Sequence, residues 1–201
     1  MQRVYITLQN DDKIAIYNLD SNTGDLTHQE DIPVTGGPAP FAFSPNNQHA
    51  YTGLRVANKM ASFDVDADTG SLTPTDTVDL ESDPCFISVD DTGRHLLSAY
   101  YGAGHIAVHP ISEEGSVGEK ATEWIATRHR AHCAHTDASN SYTFLPHVDD
   151  SNAIYQYKFN AENGKLTPNT PAVIEPPAGD GPRHYAYHPN GKFVYFDNEQ
   201  G

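Results

Sequence analysis

The sequence predicts an all-β protein, a β-propeller whose blades are antiparallel sheets of four strands each. Two observations carry this prediction. Two separate series of turns recur along the chain with one period, and the runs between them alternate apolar and polar residues and are rich in β-branched and aromatic side chains. No segment has the 3.6-residue periodicity of an amphipathic helix. Four short strands repeated about every 45 residues are typical of propeller blades.

The turns define the repeat. In the first series, glycines lie 46, 45 and 49 residues apart, at Gly24, Gly70, Gly115 and Gly164. In the second series, turn residues lie 46, 47 and 51 apart, at Asn47, Gly93, Asn140 and Gly191. A large antiparallel sandwich has a similar number of strands, but it does not require two turn series to share one register. The common period therefore favours a propeller, with about four blades in this chain.

The second unit shows the expected order of strands. Four runs read as strands, at 38–43, 49–55, 59–66 and 71–80. The turn SPNN separates the first two and the turn ADTG separates the last two, so neighbouring strands are antiparallel. We interpret residues 1–201 as a single, partial propeller domain.

Charge and composition exclude several classes of partner. The chain has 12 Lys and Arg against 27 Asp and Glu, a net charge of −15, which repels nucleic acid phosphates and anionic membranes. The first residues have no apolar signal region, and no run is long enough to span a bilayer. The two cysteines, Cys85 and Cys133, lie in unrelated contexts and favour reduced thiols. We therefore expect a cytoplasmic protein without nucleic acid or membrane partners.

Four motifs carry a resemblance to a known family: YTGLR (51–55), SAYYGAGHIAV (98–108), AHCAHTDASN (131–140) and, most specifically, GPRHYAYHPNGKFVYFDNE (181–199). In these motifs the chain resembles the lactonase family of seven-bladed propellers, whose best known members are bacterial 6-phosphogluconolactonases and whose relatives include carboxymuconate cyclases. It departs from the family at Phe86, where many relatives carry a histidine, and at TDASNS, which replaces the usual SPDG-type turn. A member with seven blades would have about 330 residues at this period, so about four of seven blades are expected here.

The resemblance implies hydrolysis of 6-phospho-D-glucono-1,5-lactone to 6-phosphogluconate, a step of the pentose phosphate pathway, with a small anionic sugar lactone as partner and no cofactor. Two alternatives remain open. One is a cycloisomerase like the carboxymuconate cyclases. The resemblance implies that these cyclases use a further arginine from a later blade. The other is a non-catalytic propeller fragment, because four units leave a ring of seven open and expose a strand edge at each end, which favours self-association.

Blade geometry predicts where a site would lie. The first two strands of a blade form an antiparallel hairpin, so the start of the first and the end of the second lie at the same edge. Radial repetition gathers these edges around one mouth of the central channel. Starts of first strands supply His132 and Arg183, and ends of second strands supply Arg55, Tyr101 and Glu199. We predict that these groups form a pocket for a small anion.

Residue chemistry suggests a role for each candidate. Lactone hydrolysis needs a positioned water, a base, and a group that stabilises the oxyanion. By residue type and resemblance, the candidate catalytic residues are His132, Arg183 and Glu199. Arg183 is the oxyanion stabiliser, and the base is either His132 or Glu199. The candidate substrate-binding residues are Arg55, Tyr101, Arg130 and His184. Of these, Arg55 and Arg130 are expected to hold a phosphate.

Strand alternation sets two further expectations. Arg183 and His184 are adjacent on a strand and should point to opposite faces, so at most one of them should face the pocket. His129, His132 and His135 are three residues apart, and in a regular strand they cannot form one facial ligand set. We therefore expect no metal.

Overall fold

The computed structural model describes residues 2–201 and has five antiparallel sheets, each built from strands that are consecutive in sequence. We number the sheets as blades 1 to 5. Blade 1 has β1 (Gln2–Leu8), β2 (Lys13–Leu19) and β3 (Leu26–Pro33); blade 2 has β4 (Pro38–Phe43), β5 (His49–Leu54), β6 (Lys59–Val65) and β7 (Leu72–Asp79). Blade 3 has β8 (Phe86–Val89), β9 (His95–Tyr100), β10 (His105–Pro110) and β11 (Glu123–Ala126). Blade 4 has β12 (Tyr142–His147), β13 (Ala153–Asn160) and β14 (Lys165–Ile174), and blade 5 has β15 (Pro182–Tyr187) and β16 (Val194–Asn198).

This architecture confirms the predicted all-β fold and partial propeller. The sixteen strands of residues 2–201 are equivalent to four blades of four strands, as the repeat predicts, although they are distributed over five sheets. The strands of blade 2 begin and end within one residue of the predicted bounds. The remaining regular elements of the described chain are two 3-10 turns, Gln9–Asp11 and Asp149–Ser151. No helix in this part of the chain combines the length and apolar character that a membrane span requires.

Blades 1, 4 and 5 differ from the four-stranded pattern. Blade 1 contains the second, third and fourth strands of a unit, and blade 5 contains the first and second. In blade 4, residues 131–136 take the place of the first strand, but they meet β12 only through isolated bridges, Ala131 with His147 and Thr136 with Thr143. The first-strand segment of blade 4 is therefore less regular than β4 or β8.

The two turn series have a common backbone conformation. All eight turn residues that define the repeat have φ between 53° and 82°, in the left-handed region: Gly24, Asn47, Gly70, Gly93, Gly115, Asn140, Gly164 and Gly191. Side chains with a Cβ are strained there, and glycine and asparagine tolerate the region best. The spacing that predicts the repeat is therefore a spacing of left-handed turn residues.

A second repeated contact joins successive blades. The glycine between the third and fourth strands of one blade packs on a side chain near the start of the second strand of the preceding blade. The contact occurs three times: Gly70 on Arg3, Gly115 on His49 and Gly164 on His95. A Cβ at any of these glycines would lie 2.7 Å or less from the opposing side chain. Glycine is therefore required here both for its φ and for close approach.

Apolar packing between neighbouring blades forms the core. One buried cluster joins blades 1 and 2 through Ile14, Ile16 and Phe63, a second joins blades 2 and 3, and a third joins blades 3 and 4. Blade 5 is joined to blade 4 by the buried Tyr185 hydroxyl, which donates to the carbonyl of His135 at 2.7 Å and accepts from its amide at 2.8 Å. Each blade is thus stabilised by its neighbours, as expected for a repeat architecture.

Replacement of Gly93 by alanine tests the left-handed turns. Gly93 has φ of 73° and only ordinary contact at the Cβ position, 3.5 Å from Pro45. We expect Gly93→Ala to lower the free energy of unfolding by about 1–2 kcal/mol. Gly93→Asn should cost less, because asparagine occupies the same turn position in blades 2 and 4. Denaturant unfolding measures both, with Gly102→Ala, at a glycine without positive φ, as the control. Equal effects of Gly93→Ala and Gly102→Ala would contradict the interpretation.

Buried histidines predict a loss of stability in acid. His147 is fully buried, and burial lowers its pKa from 6.5 to about 4. Between these pH values the unfolded chain binds a proton that folded His147 does not bind, so the free energy of unfolding falls as the pH falls. The full difference corresponds to about 3 kcal/mol. Denaturant unfolding at several pH values from 7 to 4 should show a weaker pH dependence for His147→Gln than for the parent. Half-exposed His28 provides a control, and an equal change in His28→Gln would refute the assignment.

Candidate functional site

Two positions recur at one edge of the blades and carry the site. The first position lies at the start of the first strand. The same backbone hydrogen bond marks it in two blades: the His132 amide donates to Pro146 O at 3.0 Å, and the Cys85 amide donates to Ala99 O at 2.9 Å. In blades 2 to 5 this position is Ala39, Cys85, His132 and Arg183. The second position follows the end of the second strand and is Arg55, Tyr101, Val148 and Glu199. One backbone frame therefore presents a different side chain from each blade.

The three candidate catalytic residues lie together, as the hairpin geometry predicts. Arg183 Nε donates to His132 Nε2 at 3.1 Å, and the same nitrogen lies 2.8 Å from Glu199 Oε2. Arg183 and Glu199 come from the two strands of blade 5, whereas His132 comes from blade 4. We call His132, Arg183 and Glu199 the mouth cluster.

His132 is a neutral imidazole in this arrangement. Burial, followed by the positive charge of Arg183 and then by His184, lowers the pKa of His132 to about 4. Because Nε2 accepts the Arg183 hydrogen bond, the ring proton resides on Nδ1. That nitrogen is buried and has no partner among residues 2–201. His132 therefore acts as an acceptor that holds the guanidinium in place.

Glu199 and Arg183 are both open to solvent. Their side chains are 40% and 43% exposed. The Glu199 amide donates to Gly181 O at 2.9 Å, and its Oε1 accepts from Gln200 Nε2 at 3.1 Å. The terminal Nη nitrogens of Arg183 make no hydrogen bond within the described residues. The guanidinium is thus anchored through Nε and presents its planar fork to the mouth.

The structure corrects the expectation that Arg183 and His184 point to opposite faces. Pro182 pairs with Asn198 and Tyr185 with Phe196, so two residues of β15 oppose one residue of β16. Such a bulge locally breaks the strict alternation of side chains. Both side chains therefore reach the same neighbour: the His184 ring lies edge-on to the His132 ring, with centroids 4.7 Å apart.

Aromatic rings border the mouth cluster. The Tyr101 ring is perpendicular to that of His132, with centroids 6.1 Å apart. Phe86, at the position where many relatives carry a histidine, lies 6.2 Å from the His184 ring, centroid to centroid. The Tyr101 ring helps to exclude water from His132, and burial is the largest cause of the low pKa of His132.

The two other predicted arginines lie outside the mouth cluster. Arg55 Nη2 is 2.7 Å from Asp83 Oδ2, and Arg130 pairs with Asp149 and, at 3.3 Å, with Asp150. Neither arginine forms a hydrogen bond or ion pair with His132, Arg183 or Glu199. Part of the positive charge predicted for the mouth is therefore neutralised by carboxylates of the chain itself.

A cleft of about 600 Å³ lies beside the mouth cluster and contains Arg130. Its lining is polar and comes from blades 3 and 4: Tyr101, Gly102, Arg128, His129, Arg130, Asp150 and Ser151. A short polar chain connects this cleft with the cluster, since Asp149 N donates to Gln200 Oε1 at 3.0 Å and Gln200 in turn contacts Glu199. Tyr101 borders both places. The cleft and the cluster are therefore neighbours.

The three histidines of the 129–135 segment have separate surroundings. His129 Nδ1 lies 3.2 Å from Gly102 O, His132 binds Arg183, and the His135 ring stacks on Tyr185 with centroids 4.1 Å apart. Among residues 2–201 no three His, Cys, Asp or Glu side chains are grouped as metal ligands would be.

Sequence reasoning missed the polar residues that support the predicted ones. Asp83 pairs with Arg55, Asp197 binds the His184 amide at 2.6 Å, and Gln200 binds Glu199. The type and spacing of Asp83 and Gln200 do not indicate which neighbour each of them contacts. Asp197 has the clearest signal, because it lies opposite Arg183 and His184 once the hairpin is drawn.

Comparison with known sequences gives one consistent result. The family model described as lactonase, 7-bladed beta-propeller, matches residues 3–201. The 6-phosphogluconolactonase of Yersinia pestis (strain Pestoides F) is 34% identical over 198 residues, which cover 98% of this chain and 58% of that protein. The 6-phosphogluconolactonase of Yersinia enterocolitica serotype O:8 is 33% identical over 198 residues, again 98% of this chain and 58% of that protein. The chain thus spans 58% of the length of these curated relatives.

Solved structures show the same fold. A protein of Bacteroides fragilis NCTC 9343 superposes with a TM-score of 0.86 at 23% identity, covering 98% of this chain and 60% of its own. The Pseudomonas aeruginosa periplasmic gluconolactonase PpgL also superposes with a TM-score of 0.86, at 22% identity, covering 98% of this chain and 61% of its own.

The pKa of His132 tests the geometry of the mouth cluster. Arg183→Ala removes both a nearby positive charge and the hydrogen bond donated to neutral His132, so the pKa of His132 should rise from about 4 towards 6.5. A pH titration of the histidine ring signals by NMR measures this value. Arg94→Ala, which removes an arginine bound to Ala161 O, should leave it unchanged. An unaltered His132 pKa in Arg183→Ala would show that the contact is absent in solution.

Proposed function

Because the chain belongs to the lactonase family of seven-bladed β-propellers, we propose that it carries residues for the hydrolysis of 6-phospho-D-glucono-1,5-lactone to 6-phosphogluconate. One observation carries the proposal: Arg183 is anchored through Nε between His132 and Glu199 while its fork is open to solvent. The relatives of that name are longer than this chain, which covers 58% of their length.

Arg183 is suited to stabilise the oxyanion of lactone hydrolysis. Water adds to the lactone carbonyl carbon, and the carbonyl oxygen becomes negative. The bond from that carbon to the ring oxygen then breaks, and the ring oxygen takes up a proton as the new hydroxyl group. Fixed cationic donors aimed at the developing charge lower such a barrier. The two Nη nitrogens of Arg183 are donors of this kind, and their direction is set by the Nε contacts.

We assign the base to Glu199. The His132 Nε2 lone pair already accepts from Arg183, and Nδ1 is buried. The Glu199 carboxylate is 40% exposed and can take a proton from a water beside the Arg183 fork. His132 then orients Arg183 and does not act as the base.

The cleft with Arg130 is the better candidate for the substrate phosphate. Tyr101 borders both this cleft and the mouth cluster, so a lactone at Arg183 could extend its phosphate towards Arg130. A phosphate there competes with Asp149 for the guanidinium, and at Arg55 it competes with Asp83. His184, beside His132, completes the proposed substrate-binding set.

The remaining predictions from the sequence stay proposals. Self-association through open strand edges is one of them. The net charge of −15 supports the absence of a nucleic acid partner, and the two free cysteines are compatible with a cytoplasmic location. A carboxymuconate substrate remains the alternative for the same mouth, since Arg183 would also bind a carboxylate.

Lactonase activity is tested by following the disappearance of 6-phosphogluconolactone with and without purified protein. We expect acceleration by the parent, and Arg183→Ala should lower kcat by about 10²–10³-fold. Arg183→Lys keeps the charge but lacks the planar fork, so it should restore little activity. Glu199→Gln should remove the base while leaving a side chain of the same size. Arg94→Ala should retain full activity.

Circular dichroism of each variant separates lost chemistry from lost structure. A carboxymuconate substrate assayed in parallel identifies a cycloisomerase. Equal rates with and without the parent protein would refute the lactonase proposal and favour a non-catalytic fragment, and size-exclusion chromatography then shows whether the chain self-associates.

A further inference from the structure

We propose that Asp197 is a positioning residue, whose carboxylate binds the unpaired amide of the β15 bulge and thereby keeps Arg183 in contact with His132. As a refinement of the reaction, this inference rests on the proposed function. Asp197 was not among the predicted site residues, and its contacts are to the backbone and ring of His184.

The bulge leaves an amide that the strand ladder cannot satisfy. Arg183 and His184 together oppose Asp197. The regular pairs on either side are Pro182 with Asn198 and Tyr185 with Phe196. The extra residue of such a bulge is left unpaired. The His184 amide instead donates to Asp197 Oδ1 at 2.6 Å, a short, charge-assisted hydrogen bond.

Blade 2 contains the same bulge with the opposite chemistry. Pro38 pairs with Leu54 and Phe41 with Thr52, so two residues of β4 oppose Gly53 alone. The residue equivalent to His184 is Pro40, which has no amide hydrogen to satisfy. Gly53 has no side chain, and a Cβ there would lie 2.8 Å from Pro40 Cγ. Blade 2 thus removes the donor, whereas blade 5 supplies an acceptor.

The acceptor is specific to the blade that carries Arg183. The residues equivalent to Asp197 in blades 2, 3 and 4 are Gly53, Ala99 and Pro146, none of which has a side-chain acceptor. Asp197 Oδ2 also lies 3.6 Å from His184 Nδ1, so the same carboxylate orients the ring that packs against His132.

Loss of the carboxylate should therefore disturb Arg183 through the backbone. Without Asp197, the His184 amide has no partner and the bulge can relax towards a regular strand. Regular alternation would turn one of the two side chains away from His132. A displacement of about 1 Å at a reacting group can lower a rate by about 10²-fold.

A double-mutant cycle isolates the amide contact. Asp197→Ala should lower kcat about 10- to 100-fold with little change in KM. Asp197→Asn keeps an oxygen acceptor and should retain most of the activity. The same Asp197→Ala change should still lower kcat in a His184→Ala background, which keeps the amide hydrogen. In a His184→Pro background, which copies Pro40 of blade 2, it should have no further effect.

A second measurement does not depend on activity. Hydrogen exchange of the His184 amide, followed by NMR, should accelerate about 10- to 100-fold in Asp197→Ala and much less in Asp197→Asn. The proposal is overturned if exchange is unchanged in Asp197→Ala, or if Asp197→Ala lowers kcat equally in the His184→Pro background. A parent protein without lactonase activity would refute the proposed function, while the exchange measurement would still decide the role of Asp197.

Discussion

The regular arrangement of blades 1 to 4 depends on a contact that has no catalytic role, the packing of a turn glycine on the second strand of the preceding blade. This contact occurs at Gly70, Gly115 and Gly164, and each time the space for a side chain is already filled by the neighbour. Because the same contact recurs, successive blades are related by nearly the same rotation. Residues at equivalent backbone positions therefore meet at one mouth. His132 and Arg183 are 51 residues apart in sequence, and blades 4 and 5, which carry them, are joined by the buried Tyr185 hydroxyl.

Repetition of the backbone leaves the chemistry free to vary. The residue at the start of the first strand changes from alanine to cysteine, histidine and arginine between blades 2 and 5, while the backbone hydrogen bond that fixes this position recurs at Cys85 and His132. The bulge shows the same freedom at a finer scale, since blade 2 uses proline and glycine where blade 5 uses histidine and aspartate. A repeated scaffold can therefore place several different groups around one mouth while the packing between neighbouring blades is kept.

The electrostatics of the mouth differ from those of the whole chain. The net charge is −15, yet the group presented at the centre of the mouth is a guanidinium. Three arginines are predicted to bind an anion. Arg55 and Arg130 are paired with aspartates, and only Arg183 keeps its fork open. His132 binds Arg183 as a neutral acceptor, because burial and the adjacent positive charge both disfavour its protonated form. Arg183 also pairs with Glu199 through Nε, so the mouth presents an ion pair whose Nη nitrogens have a fixed direction.

The sequence by itself determined the all-β fold, the bounds of the blade 2 strands, the period and the hairpin positions that bring His132, Arg183 and Glu199 together. These follow from local rules, since left-handed turns need glycine or asparagine and an antiparallel hairpin brings two known positions to one edge. Only the tertiary structure decided which side chains pair. Arg55 and Arg130 bind aspartates, Arg183 and His184 share one neighbour through a bulge, and Asp197 supports them. Such pairing depends on distances of a few ångströms between blades and on one extra residue in a strand, and neither leaves a periodic trace in the sequence.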